Sequence, residues 1–356
     1  VHVQVDLKRP SELSGTEQQA WDQFARDGAS TPGPNFSRAF AEAVEQARPD
    51  ARVAVVRLRG SVVGFLPLHP GIGGYARPLG GPISDLHGLI ARPDVYLDVP
   101  GLIAAARLSA FAFHAAPTLQ LTFFRAAEVR DGVHAVDLSE GYAAYEAGRR
   151  ALNEKAFKNL DRRARKAARE VGEPAFQIHD HRPSAWTSLV AWKSAQYRSA
   201  RHPDVFAHAW ALKLFEVLRR GGAHARLVVS SLSFGDRLAA AHAGLAGRGV
   251  FQFWFSAYDP ALAAYSPGQL LRLEILKAHR ALEADEFHLG RGDFRQKRDL
   301  ATHQIPVAAG VAGAPSATWL AVKTARAVEE AASRMPMLGT LSAVPGKAFR
   351  RIDRFT

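Results

Sequence analysis

The chain contains two segments with the same order of predicted elements, and this repetition limits its fold more than any other feature. Residues 52–70 (RVAVVRLRGSVVGFLPLHP) and 226–246 (RLVVSSLSFGDRLAAAHAGLA) each indicate two apolar strands joined by a tight turn. Downstream, residues 99–125 can be laid over residues 266–292. Each of these begins with Pro-Gly, continues as a helix of similar length and ends in a short strand. Two copies of hairpin, helix and strand predict a duplicated α/β domain.

The second copy contains an unusual turn, because a glycine lies in the first turn of its predicted helix. Its helix begins at Ser266-Pro267-Gly268. Serine is a favourable N-cap, and proline at the first helical position loses no hydrogen bond. Glycine, however, costs about 1 kcal/mol relative to alanine inside a helix. We therefore expect a ligand to approach the backbone at Gly268, and the free N–H groups and positive dipole end of a helix favour an anion such as phosphate.

The formal charge of +12 predicts an anionic partner, which is a nucleic acid, a phosphorylated cofactor or an acidic membrane surface. Between the two copies, residues 149–169 contain nine lysines and arginines and only two acidic residues. A solvated helix face and a positive wall beside a binding cleft both account for this composition. The second alternative makes Arg162, Arg163 and Lys166 candidates for substrate binding.

The sequence argues against several other classes of protein. It has no cysteine, which excludes a disulfide framework, a thiolate metal site and a cysteine nucleophile. Its first residues are polar and no apolar window suits a membrane span, so we expect a cytoplasmic protein. His179-Asp180-His181 has metal-binding residue types, but no further ligand spacing supports it and no metal is predicted.

Three regions together resemble the CelD-like acyltransferases, a branch of the GNAT superfamily associated with bacterial cellulose and exopolysaccharide synthesis. They are the basic helix KAFKNLDRRARKAAREVG (residues 155–172), WKSAQYRSARHPDVF (192–206) and YSPGQLL…EFHLGRGDFRQKRDL (265–300). The resemblance spans roughly residues 152–306. It also relates the chain to the tandem-GNAT Fem-type aminoacyltransferases that build peptidoglycan cross-bridges.

The resemblance implies a mixed α/β sheet in tandem GNAT-like domains. Residues 1–148 form the first, with a structural or acceptor role and a degenerate donor site, because Val99 stands where the second copy has Ser266. Residues 149–307 form the second, with the basic helix and the donor site. A linker, a helix near residues 318–334 and a basic tail follow in residues 308–356.

The activity implied by the resemblance is transfer of an acyl group from acetyl-CoA or another acyl-CoA directly to an amine or hydroxyl. The acceptor is a sugar or sugar-nucleotide of exopolysaccharide biosynthesis. Main-chain N–H groups hold the donor pyrophosphate at the turn of Ser266, Gly268 and Gln269, and Arg291 and Gly292 follow the next strand.

Direct acyl transfer needs a deprotonated nucleophile, a stabilised oxyanion and a protonated leaving thiolate. Asp293 and Lys297 match the acidic and lysine positions of the family. His242, in a small apolar strand, is either a core group or a base that faces the cleft. Tyr258, at the end of an aromatic strand, is either an acid for the thiolate or a strand-end aromatic.

Two other functions stay open. One is aminoacyl transfer from tRNA, with the basic helix on RNA phosphates and a binding strength that falls steeply with salt. The other is a non-catalytic tandem-GNAT module that binds a nucleotide or a membrane as a regulator, with an anionic nucleotide at the basic residues 350–354 (RRIDR). Peripheral contact with the inner membrane or with a polysaccharide-synthesis complex is a further expectation.

Overall fold

A computed structural model describes residues 3–27, 33–120, 128–292 and 294–334. The chain forms two compact units. The first unit comprises Val1–Asp131 and Pro306–Thr356, and the second comprises Gly132–Ile305. These compact units divide the chain near residues 131 and 305. The domain boundaries predicted from the sequence at residues 148 and 307 remain a prediction.

The elements before residue 120 are β1 (Gln4–Lys8), α1 (Gly15–Asp27), α2 (Arg38–Ala47), β2 (Arg52–Leu58), β3 (Ser61–Pro70), β4 (Tyr75–Pro78), β5 (Ile90–Ala91), α3 (Val99–Ala105) and β6 (Ala110–Pro117). After residue 127 come β7 (Glu128–Asp137), α4 (Tyr142–Leu152), α5 (Glu154–Glu170), β8 (Pro174–Gln177), α6 (Pro183–Ser199), α7 (Ala209–Arg219), β9 (Arg226–Phe234), β10 (Arg237–Gly247), β11 (Val250–Tyr258), α8 (Pro267–Lys277), α9 (His279–Leu282), β12 (Glu286–Gly290), α10 (Arg295–Leu300), β13 (His303–Ala312) and α11 (Ala317–Arg334). None of the described helices combines the length and hydropathy that crossing a bilayer requires.

The first unit is built on a mixed sheet with the strand order β1-β2-β3-β4-β6-β13. The hairpin predicted at residues 52–70 is confirmed, because β2 and β3 pair in antiparallel register with Val55 opposite Phe65. β4 and β6 pair in parallel. Helix α3 packs Leu102 and Ile103 into the same apolar core as Phe111 of β6.

The second unit is built on a mixed sheet with the strand order β7-β12-β11-β10-β9-β8. The predicted hairpin at residues 226–246 is confirmed as β9 and β10, and the aromatic strand before the helix is confirmed as β11. One face packs against α5 and α8, where Leu271 and Ile275 share a core with Phe251. The other face packs an aromatic group from α6, α7, β11 and the 3₁₀ turn between α6 and α7: Trp186, Phe206, Phe215 and Phe255.

The two copies differ more than their alignment predicts. Helix α3 has seven residues and α8 has eleven, so the prediction of helices of similar length is wrong. Arg107 ends the first helix early because it adopts a left-handed conformation (φ 57°), and the N–H of Leu108 returns to the carbonyl of Ile103. As a result β6 starts early, and Gln120, aligned with Phe287 of β12, lies in a 3₁₀ turn after the strand.

The linker predicted directly after residue 307 is wrong for residues 308–312. They belong to β13, where Ala308 pairs with Ala116 and Ala312 with Phe111. Alanines and glycines that suggest flexibility in a sequence here allow close packing, because both alanines are buried. The helix predicted near residues 318–334 is confirmed as α11, and residues 335–356, with the basic tail, lie outside the described residues.

Candidate functional site

Strands β11 and β12 run side by side for a short distance and then separate. Their parallel pairing extends from Val250 opposite Glu286 to Gln252 opposite His288. Beyond Gln252, β11 continues to Tyr258 with β10 as its one strand neighbour in the described part of the chain. We call the space beside this free edge the β11–β12 opening. Backbone N–H and C=O groups along such an edge are available to pair with an extended ligand.

A β-bulge at Trp254 lies just beyond the point of separation. Ala243 is opposite Phe255 and Gly244 is opposite Phe253, so the pairing register with β10 skips Trp254. Phe253 therefore packs toward Arg272 of α8, while Phe255, two residues later, packs toward Phe215 of α7. A bulge bends its strand and re-aims side chains, and bulges are frequent beside active sites.

The N-cap position of α8 departs from the sequence prediction. Ser266 has φ 53° and ψ 49°, and its side chain makes no capping hydrogen bond, so the predicted capping role is wrong. A side-chain cap needs an extended backbone at this residue, which the left-handed conformation does not provide. The hydroxyl instead accepts a hydrogen bond from the guanidinium of Arg163 on α5.

The first turn of α8 leaves a main-chain donor unused. The N–H of Gln269 donates to the carbonyl of Ser266 at 3.0 Å, whereas the N–H of Gly268 has no acceptor among the described residues. A Cβ atom on Gly268 would lie 3.5 Å from Cδ1 of Tyr258 and 3.9 Å from Oγ of Ser256. These are ordinary contact distances, so the surrounding fold does not itself require glycine at this position.

Two of the three basic side chains predicted to bind substrate lie near this turn. Arg163 is half-buried and donates to Ser266, and the ammonium of Lys166 lies 5.8 Å from the ring centroid of Tyr265. Arg162 is exposed on the same helix. A free N–H, a hydroxyl and a guanidinium thus meet at a helix N-terminus, a combination suited to a phosphate.

A second group of polar side chains lies where the strands separate. We call Ser230, His242, Arg272 and Lys193 the buried polar cluster. His242 is 1% exposed, and neither of its ring nitrogens has a hydrogen-bond partner in the described structure. Ser230, opposite it on β9, has an equally unpartnered hydroxyl. Burial, together with the charges of Arg272 and Lys193, lowers the pKa of His242 to about 3. The ring is neither a satisfied core group nor a strong base, and its predicted catalytic role remains a prediction.

The two cations of the buried polar cluster have no carboxylate partner among the described residues. The guanidinium of Arg272 lies 5.9 Å from the ring centroid of Phe253, and its Nη1 is shielded from solvent without a hydrogen bond. The ammonium of Lys193 donates to the carbonyl of Ser256 at 3.3 Å, on the free part of β11. Burial lowers the pKa of both groups, and the charge of Arg272 lowers that of Lys193 further.

The predicted acid Tyr258 lies at the end of β11 and is 37% exposed. It is next to Gly268 rather than next to the point where the strands separate. Gln269, predicted to bind the donor, is half-buried in the first turn of α8. The structure therefore brings Tyr258, Gln269 and Gly268 together at the open end of the site.

The turn after β12 holds the remaining predicted residues. The ammonium of Lys297, on α10, donates to the carbonyl of Arg291, and Gly292 adopts a positive φ of 94°. Lys297 thus reaches back to the end of β12. Asp293, the predicted acidic group, lies outside the described residues.

In the described ranges of the chain, no group of three or more histidine or acidic side chains is arranged so that it could hold a metal ion. In the His179-Asp180-His181 segment, the carboxylate of Asp180 accepts hydrogen bonds from Arg182 and Ser231. It supports local structure instead of forming a ligand set.

Sequence reasoning missed Arg272, Lys193 and Ser230. One signal was available for Arg272, because it lies four residues after Gly268 and therefore on the same face of α8. No comparable signal existed for Lys193, since its contact with Ser256 joins residues 63 positions apart.

Residues 154–298 match the family model described as the acetyltransferase (GNAT) domain. No curated protein sequence matches the chain. Among solved structures, the C-terminal domain of a putative lysylphosphatidylglycerol synthetase from Agrobacterium fabrum has a TM-score of 0.53 at 12% identity, covering 86% of this chain and 95% of that one. A tandem GNAT protein from the clavulanic acid biosynthesis pathway has a TM-score of 0.52 at 15% identity, covering 88% and 100%. FemX has a TM-score of 0.50 at 8% identity, covering 82% and 89%.

At such low identity these structural matches bear on the fold alone. With the GNAT domain match, they confirm the predicted mixed α/β fold and support the duplicated GNAT architecture. The matched segment contains α5, the first turn of α8 and the β11–β12 opening. A GNAT acetyltransferase domain indicates an acyltransferase, and GNAT domains generally use acyl-CoA.

Proposed function

We propose that the protein is an acyl-CoA-dependent N- or O-acyltransferase that works by direct transfer. The observation that carries this proposal is the β11–β12 opening with the first turn of α8 at its open end. An extended donor can pair with the free edge of β11 while its phosphates meet the Gly268 N–H and the Arg163 guanidinium.

We place the two ends of the donor from the length of the free part of β11. From Phe253, where the strands separate, to Tyr258 is five residues, or roughly 16 Å of extended strand. With the pyrophosphate beside Gly268, the pantetheine arm runs along β11 and brings the thioester toward Phe253. Tyr258 then contacts the phosphate end, and we assign it to donor binding rather than to protonation of the thiolate.

The chemistry requires the acceptor to lose a proton as it attacks the thioester carbonyl and the thiolate to gain one as it leaves. The backbone N–H groups of β11 near the bulge at Trp254 are suited to stabilise the oxyanion, since donors fixed by a strand need no reorganisation. Asp293 and Lys297 remain our candidates for proton transfer.

We propose a sugar or sugar-nucleotide of exopolysaccharide biosynthesis as the acceptor. This choice rests on the CelD-like resemblance of residues 152–306. The half-buried and exposed cations of α5, including Arg163 and Lys166, are compatible with an anionic sugar-nucleotide.

Calorimetry and a thiol-release assay test the proposal. We expect CoA and acetyl-CoA to bind with a stoichiometry of one per chain, because the second copy alone has the open turn. Free CoA thiol should then appear when acetyl-CoA is incubated with glucosamine or UDP-glucose as probe acceptors. Absence of any CoA binding would contradict the donor assignment, whereas binding without turnover would contradict only the acceptor class.

Aminoacyl transfer from tRNA is the second candidate, and the exposed Arg162, Arg165 and Lys166 on α5 favour it. The same calorimetry with bulk aminoacyl-tRNA separates the two. RNA binding should weaken steeply as salt rises, and it would displace the acyl-CoA proposal only if acetyl-CoA failed to bind.

A further inference from the structure

We infer that the transferred acyl group carries a carboxylate, which Arg272 and Lys193 bind at the point where β11 and β12 separate. This inference rests on the proposed acyl-CoA function and names its donor more closely. The chemistry is that of a dicarboxylic acyl thioester, with one carboxyl group joined to CoA and the other free.

The position of the two cations matches the acyl end of the donor. Arg272 lies over the ring of Phe253, the first residue of β11 beyond its pairing with β12. Lys193 approaches the same strand from α6 and donates to the carbonyl of Ser256. The opening is therefore flanked by a cation from each helix layer close to the expected thioester.

The electrostatics of the buried polar cluster call for an anion. Shielding a cation from water without a counter-charge is costly, and buried charges in proteins are normally paired. Arg272 has no ion pair and no hydrogen bond among the described residues, and Lys193 has only neutral acceptors. His242 supplies no competing positive charge, because burial keeps its pKa low and its ring neutral.

The place of the two cations along β11 favours a carboxylate over a phosphate. A guanidinium presents a planar fork that matches two carboxylate oxygens, and the ammonium adds a third donor. The phosphates of the donor already have their own partners at the Gly268 turn, roughly 16 Å along the strand. Ser230 and His242, opposite each other on β9 and β10, carry further hydrogen-bonding groups that have no partner among the described residues.

A comparison of succinyl-CoA with butyryl-CoA tests the inference. The two acyl groups have the same chain length and differ in a terminal carboxylate or methyl. We expect the parent to bind succinyl-CoA about tenfold or more tightly than butyryl-CoA. Arg272→Met should reduce this ratio to about twofold or less, and Lys193→Met should reduce it partially. Arg272→Lys, which retains one charge, should keep part of the preference.

Arg280→Met serves as the matched control, because it removes an exposed arginine from α9 and should keep the full preference. Acetyl-CoA titration of each variant reports whether the fold and the Gly268 turn are intact. Equal binding of succinyl-CoA and butyryl-CoA by the parent, or a preference that survives Arg272→Met, overturns the inference. A parent that binds none of the three thioesters fails the acyl-CoA proposal itself, so the two failures are distinguishable.

Discussion

The Pro-Gly turns of the two copies begin helices whose N-termini have side chains of opposite charge beside them. In the first copy, the carboxylate of Asp98 accepts the Gly101 N–H at 3.1 Å and already supplies the negative charge that a helix N-terminus favours. In the second copy, Gly268 has a free N–H in the described structure, and Arg163 adds a positive charge through Ser266. The first turn supplies its own negative charge, and the second suits the anion that we propose for it.

The residues just before Pro-Gly and the helix packed beside the turn set its electrostatic environment: Asp98 in the first copy, and Ser266 with Arg163 in the second. The sequence alignment attributes the degenerate first turn to Val99 in place of a capping serine. The structure shows a different reason, because Asp98 is the cap of α3 and Ser266 does not cap α8. The absence of donor binding in the first half stays a prediction. Its proposed physical cause is the carboxylate of Asp98.

Among these predictions, the substitution Gly268→Val in the second turn should have the largest effect on CoA affinity. A Cβ fits there at 3.5 Å or more from the protein, so the added bulk mainly excludes the ligand. Loss of two charge-assisted hydrogen bonds at roughly 1.5–3 kcal/mol each lowers CoA affinity about a hundredfold or more. Titration calorimetry measures the dissociation constant, and the melting temperature should change little because glycine is itself unfavourable in a helix.

Gly101→Val is the control for that experiment. It alters the corresponding turn of the first copy and should leave CoA affinity nearly unchanged. If Gly268→Val bound CoA like the parent, the turn would be a helix start without a phosphate site.

Arg163→Met should have an intermediate effect. Its guanidinium is half-buried at the Gly268 turn, so removing it costs one charge-assisted contact and raises the CoA dissociation constant about tenfold. The salt dependence of binding should also weaken. Arg162→Met, which removes an exposed charge one residue away, should change the constant about twofold or less. Equal losses in both variants would show that the helix acts through its overall charge and not through a defined contact.

Asp98→Ala should have the smallest effect, and an effect on stability alone. Removing an N-cap carboxylate costs about 1 kcal/mol of the free energy of unfolding, which denaturant titration measures. CoA affinity should stay as in the parent. If this variant bound a second CoA per chain, the result would mean that Asp98 alone blocks the first turn.

The local features of the fold were predictable from the sequence. The hairpins at β2–β3 and β9–β10 follow from apolar runs on either side of tight turns, and the helix α11 was also predicted. The early end of α3 was not predictable, because it depends on Arg107 adopting a left-handed conformation that arginine rarely takes. The strand at residues 308–312 was missed because alanines and glycines indicate a linker unless a neighbouring strand is known.

Within the site, the sequence by itself determined the strand, the turn and the charge: an aromatic run, Ser266-Pro267-Gly268 and a basic helix. Tertiary structure alone decided that β11 leaves β12 after Gln252 and that Arg163 meets Ser266 across 103 residues of chain. It also decided that Arg272 and Lys193 share one strand edge. The physical reason is that propensity and capping act over a few residues, whereas strand separation and unpaired buried charge arise from packing between distant segments.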